Sequence, residues 1–286
     1  MSQFVAVEVL RGGGVVSIEI DGRPRVTPLG AFDDPSYARL AIDNAARYQE
    51  ADPFPHIVLD DFINVDLARS LSAAFPGPDE ISWVVRDNEN NRRRYQHNET
   101  KVPTLLREML REMNGRQFVL FLETLTGIEG LLPDPYYIGG GVHLSGQGDF
   151  LKIHADFNWH HKLQAYRRVN ALLYLSSDWQ PEWKGAIEFW DRDMTQVKSS
   201  ALPILNRLVV FSTSEYSNHG QREPNRCPPD TYRKVLNLYY YTTRRDDEDM
   251  SDPHFTLYKP QASEFAMQLG SDYRHSADPS SITPAS

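Results

Sequence analysis

Two short motifs contain the side chains that could bind a metal. His154-Ala155-Asp156 lies at the end of a predicted strand, and His219 follows another predicted strand, 63 residues beyond Asp156. Residues i and i+2 of a strand point to the same face, so one imidazole and one carboxylate can reach a shared point. Two histidines and a carboxylate on neighbouring strands would provide three ligands on one face of an ion. This set suits non-heme Fe(II), with Zn²⁺ as the alternative if water completes its coordination.

The His-x-Asp motif alone is weak evidence for a metal site. The chain has nine histidines and 39 acidic residues among 286, so roughly one His-x-Asp/Glu triplet is expected by chance. A second triplet, His97-Asn98-Glu99, is interpreted as that chance occurrence. Without further context, ordinary polar residues near a strand end are also the favoured interpretation of His154 and Asp156.

A cation lies at the start of the next predicted strand. Arg233 follows His219 by 14 residues and opens the strongly β-forming run Arg-Lys-Val-Leu-Asn-Leu-Tyr-Tyr-Tyr. Arginine is suited to bidentate binding of a carboxylate, and a surface ion pair is the alternative interpretation. Lys234 cannot share the task with Arg233, because adjacent strand residues face opposite ways.

Composition excludes several classes of protein. The single cysteine, Cys227, rules out an intramolecular disulfide and a cysteine-rich zinc or iron–sulfur site. A hydrophobic content of 40% with 24% charged residues is typical of a globular protein. The net charge of −9 argues against nucleic-acid binding as the main task. Without an apolar membrane span or a secretory leader in the sequence, we expect a cytoplasmic protein that has no membrane partner.

The residues above must be positioned by a sheet that helices cover on one side. A hairpin is predicted within residues 1–30 and a short strand at 57–59, with helices at 34–50, 65–75, 104–113 and 117–125. Strands are predicted at 136–144, 149–154, 168–175, 186–190, 207–213 and 234–242. The run 171–175 is apolar on both faces, so helices must pack against one side of its sheet.

We predict a single domain that spans residues 1–286. A mixed, helix-rich supporting part covers 1–132, the β core covers 133–245, and a C-terminal extension covers 246–286. The charge run Asp246-Asp247-Glu248-Asp249 is expected to form a solvated turn. The last dozen residues, rich in Ser, Asp and Pro, are expected to be disordered.

The order of these motifs resembles the iron(II)- and 2-oxoglutarate-dependent oxygenases of the prolyl 4-hydroxylase type. His-x-Asp is followed by a strand ending Tyr-Leu-Ser, by Trp-Lys-Gly-Ala-Ile-Glu-Phe-Trp, by Asn-Arg-Leu-Val-Val-Phe before the second histidine, and by Arg-x-x-Leu-Asn-Leu. The resemblance is clearest from about Pro133 to Thr243. It implies an α+β fold with a mainly β core, a double-stranded β-helix (jelly-roll, cupin-like) with helices packed on one sheet.

The resemblance also implies roles for individual residues. His154, Asp156 and His219 would bind Fe(II), and Arg233 would anchor the distal carboxylate of 2-oxoglutarate. Asn170, Leu172 and Tyr174 share one face of the strand that lines the co-substrate pocket in this family. Tyr174 could donate its hydroxyl to the same carboxylate, or it could be a core tyrosine with a satisfied hydroxyl.

Two positions depart from the family pattern. Leu144, ten residues before His154, stands where some relatives have a tyrosine. The interval from His219 to Arg233 is a few residues longer than in many relatives, because Arg222-Glu-Pro-Asn-Arg-Cys-Pro-Pro forms a longer loop.

The implied activity is hydroxylation of an unactivated C–H bond with O2 and 2-oxoglutarate, releasing succinate and CO2. Ascorbate is the expected reductant. We favour a small-molecule substrate, an amino acid or a natural-product intermediate, because no second domain for recruiting a protein is predicted. A prolyl hydroxylase acting on a protein or peptide is the alternative, followed by a non-catalytic jelly-roll that serves as a binding module.

Four residues are predicted to lie at the substrate mouth, and they are Asn158, Trp159, Arg94 and Trp190. For the run 92–97 that contains Arg94, a solvated loop is the favoured alternative. If the run faces the site, it would suit a carboxylated or phosphorylated small molecule. The sequence leaves the oligomeric state open, including a homo-oligomer.

Overall fold

The computed structural model describes residues 29–245 and 251–259, together with the backbone of three short strands before them. These strands, β1 (Val7–Glu8), β2 (Ser17–Ile20) and β3 (Arg23–Val26), form an antiparallel sheet in the order β1-β2-β3. β1 pairs with β2 as the predicted hairpin requires, and its Gly12–Gly14 turn lies outside the described residues. The predicted charged turn at 246–249 and the predicted disordered end also lie outside them.

Four α-helices occur in the described chain, and the sequence predicted each of them to within a few residues. They are α1 (Ser36–Gln49), α2 (Val65–Ala73), α3 (Thr104–Met113) and α4 (Arg116–Thr126). α2 begins after Asn64, whose Oδ1 accepts hydrogen bonds from two backbone amides of the first turn at 2.9 and 3.1 Å. α4 ends at Gly127, which has the left-handed φ of 72° that glycine adopts without steric cost.

Two further antiparallel sheets make up the β core. The larger contains β4 (His56–Leu59), β5 (Val84–Asp87), β6 (Asn91–Gln96), β7 (Leu132–Pro133), β8 (Gly141–Ser145), β9 (Phe150–Leu151), β11 (Trp159–His160), β12 (Ala165–Tyr174), β15 (Arg207–Ser212) and β17 (Arg233–Thr242). The smaller contains β10 (His154–Ala155), β13 (Ile187–Trp190), β14 (Val197–Ala201), β16 (His219–Gly220) and β18 (Leu257–Tyr258). Their main paths run β4-β15-β12-β17-β8-β6-β5 and β14-β13-β16-β10-β18.

The two faces of the larger sheet pack against different layers. In β12, Ala171 and Leu173 belong to the apolar cluster that contains the helices, whereas Leu172 and Tyr174 belong to a cluster shared with the smaller sheet. This alternation follows from the two-residue period of a strand. It confirms the predicted helix layer on one side of the sheet, and the curled antiparallel pair of sheets is the predicted double-stranded β-helix.

The structure corrects two sequence-based predictions. A solvated loop was the favoured interpretation of residues 92–97, but residues 91–96 form β6, which pairs with β5 on one side and β8 on the other. The strand predicted at 136–144 begins only at Gly141, because the Asp134 carboxylate accepts hydrogen bonds from the amides of Tyr136 and Ile138, both at 2.7 Å, and holds a turn there. Among the described residues, no helix combines the length and apolar character needed to cross a membrane.

Candidate active site

His154, Asp156 and His219 converge at one point of the smaller sheet. His154 on β10 pairs directly with His219 on β16, and their ring centres lie 4.5 Å apart. Each histidine Nε2 lies 3.4 Å from a different oxygen of the Asp156 carboxylate. All three side chains are buried, and their candidate ligand atoms lie within 4.8 Å of one another. The structure therefore brings together the three residues predicted as metal ligands.

Backbone hydrogen bonds orient both imidazoles. His154 Nδ1 lies 2.8 Å from the Lys152 carbonyl, and His219 Nδ1 lies 2.8 Å from the Ser217 carbonyl. A carbonyl can only accept, so each neutral ring carries its proton on Nδ1 and presents the Nε2 lone pair to Asp156. Two lone pairs and a carboxylate without a proton between them repel one another. A cation between them would remove that repulsion, so the donor set fits a divalent metal such as Fe(II).

The ionisation states of these groups favour metal binding. Burial lowers the pKa of His219 to about 4, against the opposing effect of the Asp156 charge, so its ring is neutral at pH 7. Burial acts to raise the pKa of Asp156, but the charge of Arg167 is the largest opposing effect, and the pKa lies well below its usual value. Asp156 is thus a carboxylate at neutral pH.

Arg167 and Asn170 hold the Asp156 carboxylate from behind. Asn170 Nδ2 donates to Asp156 Oδ2 at 2.7 Å, and Arg167 Nε donates to Asn170 Oδ1 at 2.9 Å. Arg167 Nη2 lies 2.9 Å from the same Oδ2, in an alignment that makes an ion pair rather than a hydrogen bond. The guanidinium carbon lies 4.5 and 3.4 Å from the ring centres of Phe157 and Tyr239. These contacts fix the carboxylate in one orientation.

Sequence reasoning missed Arg167, and a β-bulge explains why. In a regular strand, Arg167 and Asn170 would face opposite sides of the sheet. In β12 the pairing with β17 shifts between Arg167 and Val169, so an extra residue is accommodated there. The bulge turns Arg167 toward the face that carries Asn170. Strand alternation predicted the position of Asn170 but could not reveal this shift.

Gly220 allows β16 to approach β10 closely. A Cβ atom at this position would lie 2.7 Å from the Lys152 carbonyl oxygen and 2.9 Å from Ile153 Cα. Contacts below 3.0 Å to backbone atoms cannot be relieved by rotating a side chain. A residue without a side chain is therefore required next to His219 for the two histidine strands to pair.

Arg233 and Tyr174 form the second polar group of the site. Arg233 Nη2 donates to the Tyr174 hydroxyl at 2.8 Å, and Nε donates to the Gly185 carbonyl at 3.1 Å. Lys234 turns to the opposite side, where its Nζ donates to the Ser72 carbonyl of α2 at 2.9 Å. The alternation predicted from the sequence is confirmed for this pair of residues.

One cavity of about 360 Å³ contains the three candidate ligands together with Asn170 and Arg233. Residues from both sheets line it, and the β5–β6 hairpin and the segment that contains Thr256 and Tyr258 complete its wall. Leu144, the departure from the family pattern, faces the helix-side core, and its neighbours His143 and Ser145 face the cavity.

None of the four predicted substrate residues lines this cavity. The Asn158 side chain holds the segment that begins at residue 251, with Nδ2 donating to the carbonyl of Asp252 at 2.9 Å. Trp159 packs edge-on against Tyr166 on the neighbouring strand. The remaining two have acidic partners: Arg94 lies 3.7 Å from Asp149, and Trp190 Nε1 donates to Glu188 at 3.1 Å.

Other arginines and polar residues of the hairpin occupy the wall instead. Arg86, Arg93 and Tyr95 all line the cavity, as does Asn91. Arg93 lies within the run 92–97 considered in the sequence analysis, but the residue predicted there to contact substrate was its neighbour Arg94. The signal that could have found it is the alternation of a strand, which becomes usable only once residues 91–96 are recognised as β6.

Comparisons with known proteins agree with this architecture. Residues 140–241 match the profile of the 2OG-Fe(II) oxygenase superfamily, a segment that includes the three candidate ligands and Arg233. A search of curated proteins finds no match. A prolyl-4-hydroxylase from Pseudomonas putida superposes with a TM-score of 0.50 at 20% identity, covering 71% of this chain and 97% of that one.

Two other solved structures show a weaker likeness. A prolyl hydroxylase from Trichoplax adhaerens, in complex with a hypoxia inducible factor peptide, gives a TM-score of 0.47 at 15% identity and covers 72% of this chain and 90% of that one. HygX from Streptomyces hygroscopicus, with nickel and 2-oxoglutarate bound, gives a TM-score of 0.46 at 12% identity and covers 71% of this chain and 92% of that one. The match to the 2OG-Fe(II) oxygenase superfamily covers residues 140–241 of this chain, and the superposition on the Pseudomonas putida structure shows that the chain shares the fold of that prolyl-4-hydroxylase.

Proposed function

We propose that His154, Asp156 and His219 hold Fe(II) and that Arg233, with Tyr174, binds the distal carboxylate of 2-oxoglutarate. The observation that carries this proposal is that the three ligands and Arg233 line one cavity. When bound, the iron and 2-oxoglutarate supply the oxidising power, drawn from O2, to hydroxylate an unactivated C–H bond with release of succinate and CO2. Ascorbate remains a predicted reductant.

The protein's own groups prepare the site in three ways. Arg167 and Asn170 keep Asp156 ionised and aligned, and the two backbone carbonyls keep each histidine Nε2 available. Tyr174 and Gly185 hold the Arg233 guanidinium so that a carboxylate meets a pre-oriented fork. Among the described residues, no acidic side chain pairs with Arg233, which leaves its charge for an anionic ligand.

The substrate that we propose is a small molecule. The hairpin and the C-terminal segment both line the cavity, and a hydrogen bond joins them, donated by Asn91 Nδ2 to the Tyr258 hydroxyl at 3.0 Å. The Tyr258 ring also lies 5.7 Å from that of His154, on the strand paired with β10. A pocket of about 360 Å³ with walls from the hairpin and the C-terminal segment suits a small ligand, whereas a protein substrate requires an open groove. A prolyl hydroxylase acting on a peptide is the alternative.

Ligand assignment is tested by anaerobic titration of the full chain with Fe(II) and 2-oxoglutarate. The wild-type protein should develop the weak visible charge-transfer band of the iron–2-oxoglutarate pair, and His154→Ala should not. His97→Ala is the matched control, because it removes the histidine of the second His-x-Asp/Glu triplet, His97-Asn98-Glu99. A His154→Ala protein that keeps the band would overturn the assignment.

Substrate class is tested by a succinate-release screen with mass detection of one added oxygen. The panel contains free amino acids, small natural-product intermediates and prolyl peptides. We expect coupled turnover with free small molecules. Turnover confined to the peptides would replace the small-molecule proposal with the peptide alternative and leave the metal assignment intact.

A further inference from the structure

The cavity carries more positive charge than its proposed contents neutralise. Four arginines line it, Arg86, Arg93, Arg167 and Arg233, and Asp156 is the one acidic side chain among the lining residues. Arg167 is paired with Asp156, and the proposed function assigns Arg233 to the distal carboxylate of 2-oxoglutarate. The other carboxylate of 2-oxoglutarate lies at the iron, and Asp156 is shared between Arg167 and the iron, so the cavity keeps an excess of positive charge. Arg86 and Arg93 remain without a counter-charge.

These two arginines face each other directly across the β5–β6 hairpin. Arg86 is the register partner of Arg93, which places their Cβ atoms about 4.5–5.5 Å apart, and like charges on directly opposite residues destabilise a strand pair. Both guanidinium groups lie near the Tyr95 ring, at 6.0 and 5.9 Å from its centre. Arg93 Nε is buried and has no hydrogen-bond partner. Within the described chain, neither arginine has an acidic partner.

The arginines on the other face of the same strand are all paired. Arg92 Nε lies 2.9 Å from Asp87, and Arg94 Nη1 lies 3.7 Å from Asp149. Among the described residues, the hairpin arginines that do not line the cavity therefore have acidic partners, from β5 and from the segment before β9, and the two that line it have none. Packing alone does not require this asymmetry, whereas binding of an anion inside the cavity does.

We propose that Arg86 and Arg93 bind an anionic group of the substrate, a carboxylate or a phosphate monoester, at the cavity mouth. Arg86 is exposed and Arg93 is half-buried, so the anion enters from the outer side of the wall. Two guanidinium groups around one anion convert a repulsive pair into a charge-assisted, multidentate site. This inference rests on the proposed function, because it assumes that 2-oxoglutarate occupies Arg233.

The site is tested with inorganic sulfate as the probe. The full chain is loaded with Zn(II) and 2-oxoglutarate, and the NMR signals of the arginine Nε–H groups are followed during the titration. Sulfate should shift the Arg86 and Arg93 signals saturably, and Arg86→Gln should weaken its affinity by about tenfold. Arg92→Gln, on the opposite face of the same strand, should leave the affinity within about twofold of wild type. Arg86→Lys keeps the positive charge but loses the bidentate guanidinium, so its sulfate affinity should lie between those of Arg86→Gln and Arg92→Gln.

The outcomes distinguish a failure of the proposed anion site from a failure of the proposed function. If the Zn(II)-loaded wild-type protein fails to bind 2-oxoglutarate, the proposed function is at fault. If the protein binds 2-oxoglutarate but sulfate causes no saturable shift of the arginine signals, the anion site is refuted and the proposed function stands. The same conclusion follows if Arg92→Gln and Arg86→Gln weaken the sulfate affinity equally.

A second arm identifies the source of the anion. Succinate release by the Fe(II) enzyme is compared for amino acids against their carboxamides and for sugar phosphates against the free sugars. The anionic member of one series should have a KM about tenfold lower than its neutral counterpart, and Arg86→Gln should abolish that difference. Equal or better turnover of the neutral members would overturn the proposal.

Discussion

Replacing Arg167 with methionine should destabilise the metal-free protein by about 3–5 kcal/mol, since it leaves a buried carboxylate without its partner. Both groups are almost inaccessible to water, with exposed fractions of 1% for Arg167 and 8% for Asp156. Their nitrogen and oxygen atoms lie 2.9 Å apart. The guanidinium carbon also lies 3.4 Å from the Tyr239 ring centre, so the substitution removes a cation–π contact of about 0.5–2 kcal/mol as well.

The measurement is urea unfolding followed by circular dichroism in the presence of a chelator. Arg69→Met is the matched control, because the Arg69–Asp66 pair has exposed fractions of 67% and 62%, and its loss should cost less than about 1 kcal/mol. Adding Zn(II) should narrow the gap between Arg167→Met and the wild type, because the metal supplies a cation beside Asp156.

A double substitution separates charge from packing. Asp156→Asn removes the orphaned charge, so in the Arg167→Met background it should cost less than it does in the wild type, with a coupling free energy of up to about 3 kcal/mol. The reasoning is refuted if the free energy of unfolding of folded Arg167→Met lies within about 1 kcal/mol of the wild-type value. It is also refuted if the effects of the two substitutions on that free energy are additive.

Three further predictions concern the histidine strands, the co-substrate pocket and the helix layer. Gly220→Ala should weaken Zn(II) affinity by about tenfold in a competition titration, because its Cβ would meet the Lys152 carbonyl, whereas Gly77→Ala should not. Tyr174→Phe should raise the KM for 2-oxoglutarate about tenfold with a smaller change in kcat, since the Arg233 guanidinium loses a charge-assisted hydrogen bond of about 1.5–3 kcal/mol; an unchanged KM would count against the anchor. Phe118→Ala, a fully buried substitution, should lower the urea unfolding free energy by about 3–5 kcal/mol, and a loss below about 1 kcal/mol would contradict the packing.

Local sequence pattern was sufficient for the helices and the central strands. The helix predicted at 104–113 coincides with α3, whose buried residues repeat at helical spacing. The strand predicted at 207–213 corresponds to β15. In both cases one period of apolar residues matches one buried face, so the local pattern and the tertiary packing agree.

The β5–β6 hairpin was invisible to the same reasoning. Its six-residue strand β6 has the sequence Asn-Arg-Arg-Arg-Tyr-Gln, which has the composition of a loop. The strand forms because β8 provides a hydrogen-bonding edge, with Tyr95 opposite His143. Pairing over such a sequence distance cannot be read from a local window. The sequence-based prediction therefore named Arg94, which does not line the cavity, and left out Arg93, which does.

The longer loop between His219 and Arg233 leaves the site intact, because strand pairing rather than loop length sets the position of Arg233. In β17, Arg233 pairs with Ser145 of β8, and Asn237 pairs with Leu172 of β12. Extra residues in a connecting loop cost little entropy and do not change that register. A one-residue slip within β17 would be different, since it would send Arg233 to the helix layer and bring Lys234 into the cavity. Variation in this chain is therefore expected to be tolerated in the loop and excluded from the strand that follows it.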